Sequence, residues 1–257
     1  WQSLTYFITG GVANLEAIRS YPPVHFPPFP EDLPQKPALV VNGGPGSDVT
    51  IEGDGYYPGI SVQSDRRLTV RLNGGQTRIR VGELDVSQGH IVLEGEGKLV
   101  LYVDSRFDLG GSSTINVNPS VGHGDSVAYK YDGDPLALTL YYEGAQAVSP
   151  AGATRFVGTF FSRQAEIEIG GSGGLVGAII TSGSRVRITG DASADVRVLY
   201  APLAAVEITG SGKLKGAIVA GSFSASGAAS VVYSEPAYEF PLPVGPETYR
   251  YRRGYWR

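Results

Sequence analysis

Val49-Thr50-Ile51-Glu52-Gly53, Val70-Arg71-Leu72-Asn73-Gly74 and Ile91-Val92-Leu93-Glu94-Gly95 are three copies of one pattern, an alternating apolar strand running into glycine, set at a constant interval of 21 residues. The C-terminal half repeats the pattern. Ile167-Glu168-Ile169-Gly170, Val186-Arg187-Ile188-Thr189-Gly190 and Val206-Glu207-Ile208-Thr209-Gly210 follow one another at 19 and then 20 residues. A companion strand keeps a step of 20 in Val176-x-Ala178-x-Ile180, Val196-x-Val198-x-Tyr200 and Gly216-x-Ile218-x-Ala220. Strands this short cannot bury an apolar face alone, so each repeat must stack on its neighbours with parallel pairing. The sequence therefore predicts an all-β fold, a right-handed parallel β-solenoid (β-helix) with rungs of roughly 20 residues, the hand following from the preference of parallel crossovers.

Alternation within a strand separates inward from outward residues. It predicts inward ladders Ile51–Leu72–Leu93 and Ile188–Ile208, and an outward column of alternating charge, Glu168–Arg187–Glu207. A second outward column, Ile179, Leu199 and Val219, is wholly apolar and calls for a cover from a terminal segment, another domain or a partner. Residues 1–38 are read as a Pro-rich strap or linker built around Pro22-Pro23-Val24-His25-Phe26-Pro27-Pro28-Phe29-Pro30, with a short helical stretch near 12–19. Such a proline run favours extended backbone. The solenoid is assigned to 39–236, with an irregular, Tyr-rich excursion at 121–160 containing Tyr129, Tyr131, Tyr141 and Tyr142. Residues 237–257 form a Pro-rich exit and a basic, aromatic tail.

Composition supports this reading. Of 257 residues, 36 are glycine and 17 proline without a collagen-like triplet, a turn-rich signature that argues against helix bundles. Cysteine is absent, which excludes disulfides, thiolate zinc sites and a Cys nucleophile. A formal net charge of −4 gives no global attraction to nucleic acid or anionic membranes, so such binding needs a local basic patch. No apolar run approaches the ~20 residues that span a bilayer. The opening Trp1 and the absence of Met read as a processed or excised segment.

The order Phe156-Val157-Gly158-Thr159-Phe160-Phe161, Gly177-Ala178-Ile179-Ile180, Val198-Leu199-Tyr200-Ala201-Pro202, Val206-Glu207-Ile208-Thr209-Gly210, Gly216-Ala217-Ile218-Val219-Ala220 and Ser230-Val231-Val232-Tyr233 resembles the glycine-rich β-helical region of bacterial type IV pilus-associated proteins. It is most similar to the β-solenoid insert of competence-type minor pilins of the Thermus and Deinococcus group. The resemblance covers about a third of the chain well. It implies an extracellular location on a pilus or cell surface, contact with other pilin subunits through a parent pilin body, no membrane contact by this segment, and DNA capture for natural transformation. The pilin N-terminal helix, which would show membership of that class, is not present in this sequence.

The residues offer three basic groups for such capture, since Lys and Arg engage phosphates and aromatic rings stack on exposed bases. The first is the tail with Tyr249, Arg250, Tyr251, Arg252 and Arg253. The second is Arg71, Arg78 and Arg80, with Arg66 and Arg67 beside them. The third is Arg185, Arg187, Arg197, Lys213 and Lys215. The alternatives are a solvated surface charge pattern, and an adhesin or structural spacer at the pilus tip. A carbohydrate-active β-helix is the distant alternative, resting on Asp132 with Asp134 and on Asp191 with Asp195; turn chemistry explains these equally well. His25, His90 and His123 have no metal-ligand spacing. The chain is read as no enzyme, with no cofactor and with extracellular DNA as its partner.

Overall fold

The computed structural model describes residues 24–44, 46–119, 128–172 and 174–232, leaving aside the side chains of 193–197, together with the backbone of 6–8 and 11–13. These contain no helix, and parallel strands about 20 residues apart stack into a β-solenoid of about nine turns. Gly11–Ala13 is a strand, antiparallel to Tyr6–Ile8, where a helical stretch was expected to begin; residues 14–23 lie outside the described residues.

Each turn contributes to three parallel ladders, the walls of the coil. On the first wall, the pairing runs Val49–Leu68–Ile91–Ile115–Phe156–Leu175–Ala194–Leu214–Val231. On the second it runs Ile79–Leu101–Leu140–Phe160–Ile179–Leu199–Ile218. The third holds Leu39–Ile60–Leu84–Phe107 and, after the excursion, Ile167–Val186–Val206–Phe223. Inward residues of all three walls meet in one apolar core. Along the walls, backbone N–H and C=O groups are taken up by hydrogen bonds to the adjacent turns.

The first half departs from the ladder expected there. Val49 pairs with Leu68 and Leu68 with Ile91, steps of 19 and 23 residues that average to the 21 visible in the sequence. The inward ladder is therefore Ile51–Val70–Leu93, with Val70 in the place expected of Leu72. Leu72 sits at the following corner, where its N–H donates to the Glu94 carbonyl (2.7 Å) and its side chain remains buried. The Ile188–Ile208 and Glu168–Arg187–Glu207 columns hold the expected register.

Extra residues are absorbed locally. Gly177 pairs with Val196 and Ala178 with Val198, so Arg197 is the bulged residue that turns a 19-residue step into 20. Close stacking requires glycine at one of these corners: a Cβ on Gly177 would lie 2.1 Å from the Gly158 carbonyl oxygen, and its φ is +128°. The excursion is displaced from its expected limits. Leu138–Tyr142 and Thr159–Ser162 belong to the second-wall ladder and Arg155 and Phe156 to the first, and the departure lies between Ile115 and Thr139. The equivalent stretch of the next turn, between Phe156 and Thr159, is Val157 and Gly158 alone.

Candidate functional site

A solenoid meets partners through its outer walls, so the outward columns are where function must be sought. On the second wall the outward column runs Tyr56–Arg80–Tyr102–Tyr141–Phe161–Ile180–Tyr200–Val219. Tyr102 stacks on Tyr141 (5.6 Å between centroids) and Tyr141 on Phe161 (4.5 Å). The Pro-rich strap covers this spine. Val24 and Phe26 pack on the cluster of Phe161, Ile180, Val198 and Tyr200, and Phe26 meets Tyr141 edge-on at 5.5 Å. Phe29 meets Tyr102 edge-on at 5.0 Å. Burial pushes the Tyr141 phenol up to about 12 and raises that of Tyr102.

This corrects the expected outward column. Ile179 and Leu199 are 0% exposed and face the core, and Leu199 pairs with Ile218; Val219 pairs with Tyr200 on the outside. The outward apolar residues are Ile180 and Tyr200. The strap is the reason the two faces were indistinguishable: a strand covered on both sides reads as a continuous apolar run, and alternation loses its meaning.

The arginines are already engaged. Of the ten arginines whose side chains are described, nine have a carboxylate within 4.0 Å. Arg71 pairs with Glu52, its neighbour in register. Arg78 binds Asp54 at 2.8 Å and reaches Asp32 at 3.6 Å. Arg80 donates to Asp104 (2.9 Å) and to the Pro30 carbonyl (3.0 Å), and lies over the rings of Phe29 and Tyr56. It is a pin for the strap. Arg187 binds Glu207 at 3.1 Å and Glu168 at 3.8 Å, and Arg185 lies 3.9 Å from Glu166. The tenth, Arg66, donates to the carbonyls of Ser64 and Gly44.

The expected basic groups do not converge. Arg71 lies on the first wall and Arg78 and Arg80 on the second. Arg185 and Arg187 are on the third, whereas Lys213 and Lys215 are exposed on the first. The Arg197 side chain and the tail with Tyr249, Arg250, Tyr251, Arg252 and Arg253 lie outside the described residues. Asp132 pairs with Arg155, Asp134 accepts the N–H of Leu136 at a turn, and Asp191 is bonded to the Ser211 hydroxyl. The Asp195 side chain is outside the described residues.

One polar cluster was missed in the sequence. On the first wall an outward column runs Arg67–His90–Thr114–Arg155. The excursion's antiparallel strands, Val117–Pro119 and Tyr129–Asp132, lie against it. Tyr129 stacks on His90 with centroids 3.6 Å apart and planes 18° from parallel. His90 is 3% exposed, with Nε2 2.7 Å from Asp65 and Nδ1 2.9 Å from the Thr114 hydroxyl. Ser64 and Asp65 hold positive φ, a tight corner that brings the carboxylate to the ring. No signal in the sequence joins these residues, because the excursion folds back over a turn made earlier. Among the described residues no group of three or more His, Cys, Asp or Glu could hold a metal ion.

Residues 34–197 match the model of a protein family described as a domain of unknown function, DUF7305. The chain belongs to the DUF7305 family. The DUF7305 match takes in the strap's final residues, the excursion and most of the turns. No curated protein and no solved structure matches the chain.

Proposed function

We propose that this chain is the rigid spacer module of an extracellular, type IV pilus-type assembly, a rod that sets other components apart. The observation that carries this reading is the state of its outer walls: nearly every described arginine is matched by a carboxylate and the apolar spine is covered by the strap. A surface so satisfied offers little to a ligand, since phosphate binding would first have to break each ion pair. Nine turns at the ~4.8 Å spacing of paired strands make a rod about 43 Å long. The pilus setting comes from the resemblance of residues 156–236 to minor-pilin inserts. No catalytic step is assigned.

A second reading, DNA capture, is favoured by one observation: Lys213 and Lys215 are exposed near the C-terminal end of the described solenoid. Titration of labelled duplex and single-stranded DNA at low and physiological salt separates the two. The spacer reading expects no binding at physiological salt. Salt-steep, sequence-independent binding that falls in Lys213→Ala/Lys215→Ala or in the triple arginine-to-alanine tail variant would replace it with capture. Antibody raised against the purified chain should label intact cells; labelling only after lysis would sink the extracellular assignment.

A further inference from the structure

We propose that the paired strands Val117–Pro119 and Tyr129–Asp132 are an acid-released flap, latched by the stacking of Tyr129 on a neutral His90. An ionised Asp65 can only accept, so His90 Nε2 carries the hydrogen at 2.7 Å. The neutral ring then has a bare Nδ1, and the Thr114 hydroxyl at 2.9 Å donates to it. Both nitrogens are committed, and the ring face is covered by Tyr129 at 3.6 Å. A second ring proton, on Nδ1, would turn that atom into a donor facing Thr114, force the hydroxyl to rotate, and leave a cation under an aromatic lid without water.

The surrounding charges do not offset this. Asp65 and Asp48 favour the charged ring and Arg66 opposes it, while Arg67 is its neighbour in register on the preceding turn. Asp65 is 73% exposed at its side chain, so water screens its attraction. From the following turns come Thr114 and then Arg155, which is tied to Asp132 of the flap. Tyr129 stays neutral, its phenol pushed up to about 12 by burial. Burial is the largest influence on His90 and holds its pKa below the ordinary histidine value.

The sign follows from linkage. A group whose pKa is lowered in the closed state and ordinary (about 6.5) in the open state favours closure fully above pH 6.5. Closure weakens by up to about tenfold per pH unit as pH falls from there to the closed-state value. Opening the flap rehydrates the imidazolium without unpairing any wall of the solenoid, because the turns on either side are joined through Thr114–Ile115 and Leu138–Tyr142.

The test is amide hydrogen exchange of Tyr129–Asp132 between pH 7.5 and 5, corrected for intrinsic rates, with Ile91 and Val92 as core controls. Protection of the flap should fall by up to about tenfold per unit below pH 6.5, with the controls unchanged, and His90→Gln should remove the dependence. Flap protection that stays flat in the wild type, or a fall that persists in His90→Gln, would overturn the latch. Should the controls show that His90→Gln is unfolded, Asp65→Asn decides. Asparagine tolerates the left-handed backbone there; loss of the carboxylate lowers the closed-state value and leaves the open-state value ordinary, so protection must still begin to fall near pH 6.5 and must go on falling to lower pH and further than in the wild type, and a fall no deeper than the wild type's refutes the proposal.

Discussion

The first and second walls share one core yet carry opposite exteriors. Along the second, the outward column is Tyr102, Tyr141, Phe161, Ile180 and Tyr200, and a proline-rich strap lies over it. Along the first, the outward column is Arg67, His90, Thr114 and Arg155, and a polar hairpin lies over it. Inward residues are interchangeable between the walls, Leu, Ile, Val or Phe in each. The difference teaches that the coil is specified from inside, and that outward residues specify only what is laid upon it.

The sharpest way to break the shared core is at the stacking corner. Gly177→Ala places a Cβ against the Gly158 carbonyl, where only backbone could yield, so we expect a loss above about 4 kcal/mol or failure to fold, read by denaturant melts. Next comes the adjacent pair Phe160 and Phe161, one inward and one outward. Phe160→Ala should cost about 3–5 kcal/mol, as for other large buried aromatics. Phe161→Ala should cost less and loosen the strap, and equal losses would erase the distinction between the two faces. Smaller again is Phe26→Ala, expected to remove about 1–2 kcal/mol of apolar burial and to make residues 24–30 susceptible to protease while the solenoid melt hardly moves. The smallest effect belongs to Arg187→Ala, within about 1 kcal/mol because the arginine and both its partners are partly exposed.

The alkaline response sharpens the same comparison. Tyr141 ionises near 10 when unfolded and at about 12 under the strap. Its contribution is therefore complete below pH 10 and lost as pH rises toward 12. Ultraviolet titration of the phenolates should show this late ionisation in the wild type and an earlier one in Phe26→Ala. An unchanged titration would mean that the strap does not desolvate the ring.

Much of this was legible in the chain. Glycine-terminated alternating strands at 19 to 21 residues name a solenoid, because nothing else buries such short strands. The proline run reads as a strap or linker, and its Val24, Phe26 and Phe29 lie against the second wall. Register was less legible: unequal steps of 19 and 23 cancelled into an apparent 21 and put Leu72 where Val70 belongs. Facing was illegible at Ile179 and Ile180, where both sides are apolar. Ion pairs such as Asp54 with Arg78, 24 residues apart, were hidden by the same irregularity, whereas Glu168–Arg187–Glu207 was legible as a column of alternating charge. His90 showed nothing, as its partners come from 25, 24 and 39 residues away in both directions.

The corner between Ile115 and Thr139 has a practical meaning. The ladders before and after it are continuous, so the chain length it holds is decoupled from the pairing of the turns. Loop-closure entropy grows only logarithmically, each doubling of length costing about 0.6 kcal/mol. This corner is therefore a natural graft point, one at which a foreign peptide could be carried on a rod of fixed geometry without redesigning the rod.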